Sequence, residues 1–374
     1  MASRYVPSGI PFLRSQNVKP GRIDMSSLAY IDEEFHSELV KSQLRSGDLV
    51  IVRTGVPGVA AVIPEGIGPL NCSDLVIARP APGVDSRFLC YAINETAGSF
   101  VRAHTVGAVQ QHFNVSSAKR LSLNLPSPAE QRAIVEALGA LDDKIAVNER
   151  IAVAALELAD AQFAGAAKEL GFGPATFGST ATIVGGGTPS TKAEEYWGGE
   201  IAWTTPTDVT ALSAPYLFET GRTVTGEGLE NCASQLYPAQ SIFMTSRATI
   251  GAFALPQMAA AVNQGFIVVL PPTEELRWWL FHEMRSRVEE MISLANGSTF
   301  LELSRKNFKA MPIRLGSDQS IAEFARAVSP LHRRAAQAAA ESRTLAALRD
   351  TLLPQLMSGK LRVLDAEKIV EDAV

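Results

Sequence analysis

The sequence lacks the features of membrane and secreted proteins. None of its apolar runs reaches the roughly 18 residues that a membrane-spanning helix needs. The N-terminal residues, MASRYVPSGIPFLRSQNV, lack the long apolar stretch of a secretory signal. The only cysteines, Cys72, Cys90 and Cys232, form neither a CxxC pair nor a metal-binding spacing. These absences predict a chain of the reducing cytoplasm, with free thiols and no membrane partner.

Sequence signatures of catalysis are lacking too. The five histidines are not paired at a metal-ligand spacing such as HExxH, and no GxSxG segment occurs. Residues 184–192 superficially resemble a phosphate-binding loop but lack its Gly-Lys-Ser/Thr ending. Residues 124–127 come nearest to the [DNS]PP[FYW] loop that holds a flipped adenine, yet lack the second proline and the aromatic residue. We therefore predict no catalytic residue, no metal site and no cofactor.

No segment of the chain is strongly basic. The formal net charge is −5, and even the most basic segment, residues 1–125, has 12 basic against 10 acidic side chains. A protein that holds DNA unaided by neutralising phosphates has a markedly basic surface. The composition therefore counts against such a protein, but it is compatible with one that reads bases while partners supply the clamp.

What the sequence does contain is a repeat. Residues 44–62 (LRSGDLVIVRTGVPGVAAV) and 236–255 (LYPAQSIFMTSRATIGAFAL) both read as a turn, a β-rich run, a polar turn with an arginine, and a second apolar run. Further along, Asn71 matches Asn263, residues 107–125 match 297–315, and Gln131 matches Gln319. Because these matches keep one order and nearly one offset, they predict two copies of one structural unit.

Each copy has a β-rich half followed by helices. Short Val, Ile and Phe runs between Gly, Pro, Ser and Asn clusters are typical of strands. A short helix is predicted at about residues 86–97 and again at about 274–295. A long helix then closes each copy; the first has Ser127 as its N-cap and Pro128 as its first residue, and ends near Gly171.

Both long helices carry an apolar heptad seam. In the first helix the seam residues are Ile134, Leu138, Leu141, Ile145, Asn148, Ala152 and Ala155. About 40 helical residues extend roughly 60 Å, which is longer than a single β-rich domain needs. We therefore predict an α+β fold with two β-rich domains in tandem, each followed by a long α-helix, the two helices pairing as an antiparallel coiled-coil spacer. Asn148 either fixes the register of this pairing or is solvated.

Several segments resemble the specificity (S) subunits of type I restriction–modification systems. Residues 185–190 (GGGTPS), followed by YWGG at 196–199 and Ile201-Ala202-Trp203, are similar to the "GGTPS … YWGG-I-W" opening of a target-recognition domain. Residues 125–131 (LPSPAEQ) resemble the "P-P-x-x-EQ" start of the central helix, and 142–145 (DDKI) resemble its "LD-x-I" continuation. Residues 352–361 (LLPQLMSGKL) resemble the "LL-x-x-LLSGKI" end of the distal helix.

This resemblance implies a domain organisation. Its parts are a first target-recognition domain at 1–126, a central long helix at 127–171, a second target-recognition domain at 172–316, a distal long helix at 317–360 and a C-terminal tail at 361–374. The first copy begins at residues 10–13 (IPFL), which match 201–204, and has no counterpart of the GGTPS–YWGG segment. We therefore expect the first domain to be shortened at its N-terminus.

The resemblance also implies a function without catalysis. Each target-recognition domain is expected to read one half of a split site in double-stranded DNA. The long helices are expected to bind methyltransferase (M) subunits, two in number, and restriction–translocase (R) subunits join the full complex. The alternative is an orphan DNA-binding or scaffold paralogue without a methylation partner. A catalytic nuclease or methyltransferase has little support, because the motifs such an enzyme needs are absent.

Candidate base-reading residues follow from side-chain chemistry. Arginine suits guanine, Asn and Gln suit adenine, and turns beside strands present such side chains best. The candidates of the first copy are Arg14, Gln16, Asn17, Arg53, Thr54, Gln110 and Gln111. The candidates of the second copy are Thr204, Thr205, Asp208, Ser246, Arg247 and Arg305. Arg53 and Arg247 occupy near-equivalent turns and are the strongest; for each residue the alternative is a polar turn residue that caps its own backbone.

Overall fold

The computed structural model describes residues 2–104, 113–297 and 301–373. The chain forms two compact units. Unit 1 consists of Met1–Lys144 together with Leu345–Val374, and unit 2 consists of Ile145–Thr344. Both boundaries fall inside long helices, so each unit contains one part of each long helix.

The described part of unit 1 combines nine short strands with helices. The strands are β1 (Ile10–Leu13), β2 (Val18–Lys19), β3 (Arg22–Ile23), β4 (Ala29–Ile31), β5 (Gln43–Leu44), β6 (Leu49–Val52), β7 (Ala60–Val62), β8 (Leu70–Cys72) and β9 (Leu75–Ala78). The helices are α1 (Glu33–Glu38), α2 (Ser86–His104), α3 (Val115–Arg120) and the first part of α4 (Pro128–Ala166).

The sheets of unit 1 are built around buried apolar runs. Strand order is β4-β1-β8-β5 in one sheet and β7-β6-β9 in another, with β2 and β3 forming a small hairpin. Strand β6 is buried at all four positions, which is typical of a central strand covered on both faces. It pairs antiparallel with β7 and β9, while β1 and β8 pair in parallel.

Unit 2 contains a second set of strands and helices. The strands are β10 (Thr182–Gly185), β11 (Trp197–Thr204), β12 (Tyr216–Leu217), β13 (Thr223–Val224), β14 (Ile242–Thr245), β15 (Phe253–Pro256), β16 (Ala260–Val262) and β17 (Phe266–Leu270). The helices are α5 (Phe177–Thr180), α6 (Pro206–Thr210), α7 (Gly226–Glu230), α8 (Glu274–Arg285), α9 (Val288–Ser293), α10 (Arg305–Ala310) and most of α11 (Asp318–Met357). A last helix, α12 (Val363–Glu371), belongs to unit 1.

Unit 2 repeats the pairing scheme of unit 1. Strand β14 is buried throughout and lies between antiparallel neighbours β15 and β17, as β6 lies between β7 and β9. Strand β11 pairs in parallel with β16, as β1 pairs with β8. The full orders are β10-β17-β14-β15-β12 and β13-β11-β16. The predicted α+β fold, with two β-rich domains each followed by a long helix, is confirmed.

The start of α4 is set by its capping residues. The Ser127 backbone N–H donates to Glu130 Oε2 at 3.0 Å, the Glu130 N–H donates back to Ser127 Oγ at 3.3 Å, and Pro128 is the first helical residue. The predicted start is thereby confirmed. The helix ends at Ala166, earlier than predicted, because the next turns tighten into bonds such as Leu170 N–H to Ala167 O at 3.1 Å.

Within each unit the parts of α4 and α11 pair antiparallel. In unit 1, Arg349 Nη1 lies 2.7 Å from Asp142 Oδ1. In unit 2, the rings of Phe163 and Phe324 pack edge to face at 5.5 Å. Asn148 is fully buried in unit 2, and its amide has no hydrogen-bond partner among the described residues. The solvated alternative for Asn148 is therefore wrong.

One helical prediction needs correction. The predicted helix at about 274–295 is two helices, α8 and α9. Arg287 lies between them, and its guanidinium bonds both Glu283 Oε1 at 3.1 Å and Glu290 Oε1 at 2.6 Å. The predicted C-terminal tail, residues 361–374, includes α12, a helix that buries Ala366 and Val370 on one face.

Candidate nucleic-acid interface

A cleft of about 260 Å³ in unit 2 collects polar and cationic side chains. It is lined by Gly185, Gly186, Ser246, Arg247, Gln264, Phe266, Glu302, Leu303, Ser304 and Arg305. Three candidates that were predicted separately from the sequence, Ser246, Arg247 and Arg305, therefore lie around one concavity. We call it the unit 2 cleft.

Backbone pairing at the ends of two central strands brings these residues together. Thr245, the last residue of β14, is paired with Phe266, the first residue of β17. Just beyond, the Ser246 N–H donates to Gly265 O at 2.8 Å, and the Leu303 N–H donates to Ser246 O at 2.9 Å. The segment around residue 303 is thereby joined to the turn after β14, although some 57 residues separate them in sequence.

Arg247 is held by an acidic partner. Its Nη2 lies 2.9 Å from Glu302 Oε1, and both side chains are 44% exposed. An exposed ion pair of this kind contributes little to stability, roughly 0–1 kcal/mol. The geometry therefore orients the Arg247 guanidinium at the cleft and leaves it open to exchange partners.

Arg305 continues the cleft into a basic groove. It is exposed, and no described residue forms a hydrogen bond or ion pair with its guanidinium. It also lines an open groove of about 560 Å³, together with Lys306, Lys309, Thr176, Gly178 and Ala310. Cleft and groove together hold four cationic side chains, Arg247, Arg305, Lys306 and Lys309, against one acidic side chain, Glu302. Acidic side chains outnumber basic ones in residues 177–316, so the composition does not reveal this local excess of positive charge.

Three candidates of the second copy lie outside the unit 2 cleft. Thr204 is fully buried. Thr205 and Asp208 form the capping box of α6, with Asp208 Oδ2 accepting from Thr205 N–H at 2.7 Å. Asp208 Oδ1 also accepts from Gly221 N–H at 2.8 Å. For Thr205 and Asp208 the structure favours the capping alternative, and for Thr204 its burial rules out a direct contact with a base.

The first three candidates of the first copy lie around a turn after β1. Asn17 is fully buried, and its Nδ2 donates to Asp24 O at 3.2 Å, so it holds the turn and cannot reach a base. The Arg14 guanidinium donates to Ser27 O at 3.1 Å and lies over the ring of Tyr5. Gln16 is exposed and remains a candidate.

The turn after β6 is fastened to the turn between β8 and β9. Asp74 accepts a hydrogen bond from the Thr54 hydroxyl, and its Oδ1 lies 3.8 Å from Arg53 Nη1. Arg53 is thus oriented by an acidic residue, as Arg247 is in unit 2. Gln110 and Gln111 lie outside the described residues.

The thiols of Cys72 and Cys90 are buried in unit 1. Burial raises the pKa of the Cys72 and Cys90 thiols to about 12, so neither is an ionised nucleophile at neutral pH. No group of three or more His, Cys, Asp or Glu side chains in the described part of the chain is arranged to hold a metal ion. In the same residues no helix is long and apolar enough to cross a membrane.

Two residues at the interface were missed by the sequence predictions. Gln264 is exposed at the tip of the turn between β16 and β17 and borders the unit 2 cleft. Thr188, within the glycine-rich motif, donates its hydroxyl proton to Gln264 Oε1. One sequence signal could have identified Gln264. It is a polar residue in a turn between two strands, and it follows Asn263, which the repeat matches to Asn71.

Comparison with known proteins identifies the region around the cleft. Residues 174–333 match the family described as type I restriction modification DNA specificity domain. Residues 174–333 of the chain are therefore similar to a type I specificity domain, called the specificity domain below. This domain contains the unit 2 cleft and the basic groove, and the match confirms the resemblance drawn from the sequence motifs.

The chain is similar to curated specificity subunits of type I restriction enzymes. The chain is 32% identical over 149 residues to the type I restriction enzyme MjaIX specificity subunit of Methanocaldococcus jannaschii, covering 39% of this chain and 34% of that subunit. It is 24% identical over 182 residues to the HindI specificity subunit of Haemophilus influenzae, covering 48% of this chain and 39% of the relative. The chain thus spans less than half of the length of either relative.

A solved structure shares the fold over nearly the whole chain. The S subunit of a type I restriction–modification system from M. genitalium superposes with a TM-score of 0.53 at 15% identity. The superposition covers 95% of this chain and 91% of that subunit. At this identity the likeness shows the fold alone.

Proposed function

We propose that the chain is the DNA sequence-specificity subunit of a type I restriction–modification complex. In this role it reads a bipartite site in double-stranded DNA, docks methyltransferase subunits, and catalyses no reaction itself. The observation that carries the proposal is the unit 2 cleft, because it joins the exposed Arg247 and Arg305 at one edge of the specificity domain, with Ser246 buried beneath them.

The charge distribution around the cleft supports DNA as the ligand. Base edges are read by arginine and polar side chains, whereas phosphates are held by lysine and arginine. The cleft supplies Arg247, and the adjoining groove supplies Lys306 and Lys309, with Arg305 shared by both. The small number of cations fits a subunit that relies on partners for most of the phosphate contacts.

An exposed stripe on α4 supports the docking of a protein partner. Val147, Ile151, Ala154, Leu158 and Ala161 follow each other at spacings of four and three residues and so share one helix face. Leu158 is 49% exposed and Val147 is 40% exposed, while Leu156 and Phe163 are buried on another face of the same helix. We assign this stripe to a methyltransferase subunit, because an apolar helix face left in solvent is a typical protein–protein contact.

The docking proposal is tested by co-purification. The chain is co-expressed with a cognate methyltransferase subunit, and the mass of the complex is measured by light scattering; a complex with two methyltransferase copies is expected. Leu158→Glu should abolish or strongly reduce complex formation, since it places a charge in the apolar contact. Leu236→Glu is the matched control, because Leu236 is also 49% exposed but lies outside the helix.

The proposal that the chain recognises a bipartite DNA site is tested in cells. Sequencing of modified bases in host DNA should reveal a split methylated motif that disappears when the chain is deleted, and the restriction–translocase subunit should join the complex that recognises this motif. If the chain binds DNA but no methyltransferase subunit, it is an orphan paralogue and the main proposal fails. Modification or cleavage of DNA by the purified chain with S-adenosylmethionine or Mg²⁺ would also overturn it.

A further inference from the structure

The tryptophans of the YWGG-I-W motif fix a loop of the glycine-rich motif. Trp203 Nε1 donates to Gly187 O at 3.2 Å, and Trp197 Nε1 donates to Ser190 O at 3.1 Å. The two bonds hold the loop on either side of Thr188. The guanidinium of Arg222 lies 3.5 Å from the ring centroid of Trp197 and restrains this indole from the other side.

The glycines let this loop lie against the end of β16. A Cβ atom at Gly186 would stand 2.0 Å from Val262 O, and one at Gly187 would stand 2.6 Å from Ala233 N. The Gly187 N–H donates to Val262 O at 3.1 Å. Because only glycine fits so close to neighbouring backbone, the motif is a packing device that carries Thr188 to the turn after β16.

Thr188 in turn orients the amide of Gln264. The Thr188 hydroxyl donates to Gln264 Oε1, so the oxygen faces the loop. The turn itself is fixed, since Gly265 N–H donates to Asn263 Oδ1 at 2.8 Å. Nε2 of Gln264 has no hydrogen bond to any described residue, and the side chain is exposed beside the cleft that holds Arg247 and Arg305. A donor held in one orientation loses little conformational freedom on binding.

We propose that Gln264 is a DNA-contacting residue of unit 2, and that Thr188, Trp197 and Trp203 are positioning residues for its amide. The inference rests on the proposed function and adds a residue and a role for the motif. The Gln264 Nε2 group donates a hydrogen bond to an acceptor on DNA. That acceptor is either a phosphate oxygen or the major-groove edge of a base, for which adenine offers the best match to an amide.

The contact is tested by DNA binding of the chain assembled with its methyltransferase subunits. Fluorescence anisotropy is measured on a duplex with the methylated motif and on a scrambled duplex. Gln264→Ala should weaken binding to the motif by roughly 3- to 10-fold, as expected for one lost hydrogen bond. Gln257→Ala is the matched control, because Gln257 is an exposed glutamine before the same strand β16, at its opposite end, and should leave binding unchanged.

The two possible acceptors on DNA, a phosphate oxygen and a base edge, predict different results in the binding and methylation measurements. A phosphate contact predicts an equal loss on motif and scrambled DNA and an unchanged methylated motif in cells. A base contact predicts loss on motif DNA alone and a relaxed base at one position of one half-site. Unchanged affinity on both duplexes together with an unchanged motif overturns the inference while leaving the proposed function intact. Absence of DNA binding by the wild-type complex instead overturns the proposed function.

The positioning role is tested by a double-mutant cycle. Thr188→Val keeps the shape of the side chain and removes its hydroxyl, so it should weaken DNA binding roughly 2- to 4-fold. In the Gln264→Ala background the same change should have no further effect. Equal losses in both backgrounds would show that Thr188 does not act through Gln264. Thermal melting of each variant identifies one that fails to fold, and Thr188→Ser, which retains the hydroxyl, should then restore binding.

Discussion

Arg247 and Arg305 border the same cleft but differ in their pairing, and this difference assigns them different tasks. Arg247 is oriented at the cleft by Glu302, whose Oε1 lies 2.9 Å from its Nη2. Arg305 has no partner among the described residues and continues into the lysine-lined groove. We therefore expect Arg247 to discriminate between sequences and Arg305 to contribute affinity for any sequence.

Arg247→Ala should weaken binding to the cognate site more than binding to random DNA. A bidentate contact from arginine to guanine contributes about 1–3 kcal/mol of discrimination, so the ratio of the two affinities should fall by roughly 5- to 150-fold. The measurement is a pair of titrations with cognate and scrambled duplexes. An equal loss on both duplexes would mark Arg247 as a phosphate contact or a structural residue.

Arg305→Ala should weaken binding to both duplexes alike. Because one phosphate contact is removed, the slope of log affinity against log salt concentration should become shallower by about 1. Arg326→Ala removes an exposed cation on α11 that lines neither cleft nor groove, and it is the control that should leave the slope unchanged. A change of target preference with an unaltered salt slope would contradict the assignment.

At the scale of elements, a buried hydrogen-bonded chain joins three helices and a strand of unit 2. It runs from Asp160 Oδ1 to His282 Nδ1 at 2.6 Å, from His282 Nε2 to His332 Nε2 at 2.9 Å, and from His332 Nδ1 to the Tyr216 hydroxyl at 2.9 Å. When both imidazoles are neutral, each hydrogen bond of this chain contains one proton, and every donor therefore has an acceptor. The residues belong to α4, α8, α11 and β12, so protonation of the histidines bears on how these elements pack.

Unit 2 should lose stability as pH falls below about 6.5, the ordinary pKa of histidine. Burial, together with the neighbouring His282, lowers the pKa of His332 to about 2, and burial lowers the pKa of His282 despite Asp160. Since the folded pKa is depressed, the stabilisation is complete above pH 6.5 and is lost on acidification. Burial alone would raise the pKa of Asp160, but hydrogen bonds from His282 and Arg285 outweigh it and hold that pKa at about 2, which acts in the same direction at lower pH.

The pH dependence is measured by urea unfolding followed by tryptophan fluorescence. All four tryptophans lie in unit 2, and Trp278 stacks on His332 with centroids 4.0 Å apart. Between pH 7 and pH 5 the unfolding free energy should fall by about 1–2 kcal/mol for His332 alone. His332→Gln should flatten this dependence, while His36→Gln in unit 1 should not. An unchanged slope in His332→Gln would refute the prediction.

The elements were largely predictable from local signals, whereas the site was only partly so. Ser127 and Pro128 fixed the start of α4 because caps depend on adjacent residues. Ser246, Arg247 and Arg305 were recognised as turn residues, but their meeting depends on the long-range pairing of Ser246 with Leu303. Thr205 and Asp208 form a capping box in the structure, and this contact was predictable because Thr-Pro-x-Asp is a capping signature. The burial of Asn17 and Thr204 is a tertiary property that no local pattern carries.

At the scale of the whole molecule, the two units repeat a pairing scheme but differ in what surrounds the equivalent turns. In unit 1 the turn residue Asp74 is bound by Arg53 and Thr54, whereas in unit 2 Gln264 is bound by Thr188 of the glycine-rich motif. The chemistry presented by the two turns, an acid and an amide, is therefore different. This favours recognition of two unlike half-sites.

Removal of residues 361–374 should weaken unit 1 selectively. These residues include α12, whose Ala366 and Val370 are buried and which belongs to unit 1. Removing α12 exposes the surface that Ala366 and Val370 cover. The backbone amides of the buried strand β6 should then lose protection from hydrogen exchange, while those of β14 in unit 2 keep theirs. Tryptophan fluorescence should remain native, because every tryptophan is in unit 2. Equal loss of protection in both strands would show that the two units unfold as one.

The division of unit 1 between Met1–Lys144 and Leu345–Val374 has a consequence for biosynthesis. Unit 2 is continuous in sequence and can fold as soon as it leaves the ribosome, whereas unit 1 must wait for residues made 200 positions later. At about 5–20 residues per second the nascent N-terminal segment waits some 10–40 seconds for its missing helices. During that interval its apolar surface is open to chaperones and proteases, so slow or interrupted translation should deplete the N-terminal half first.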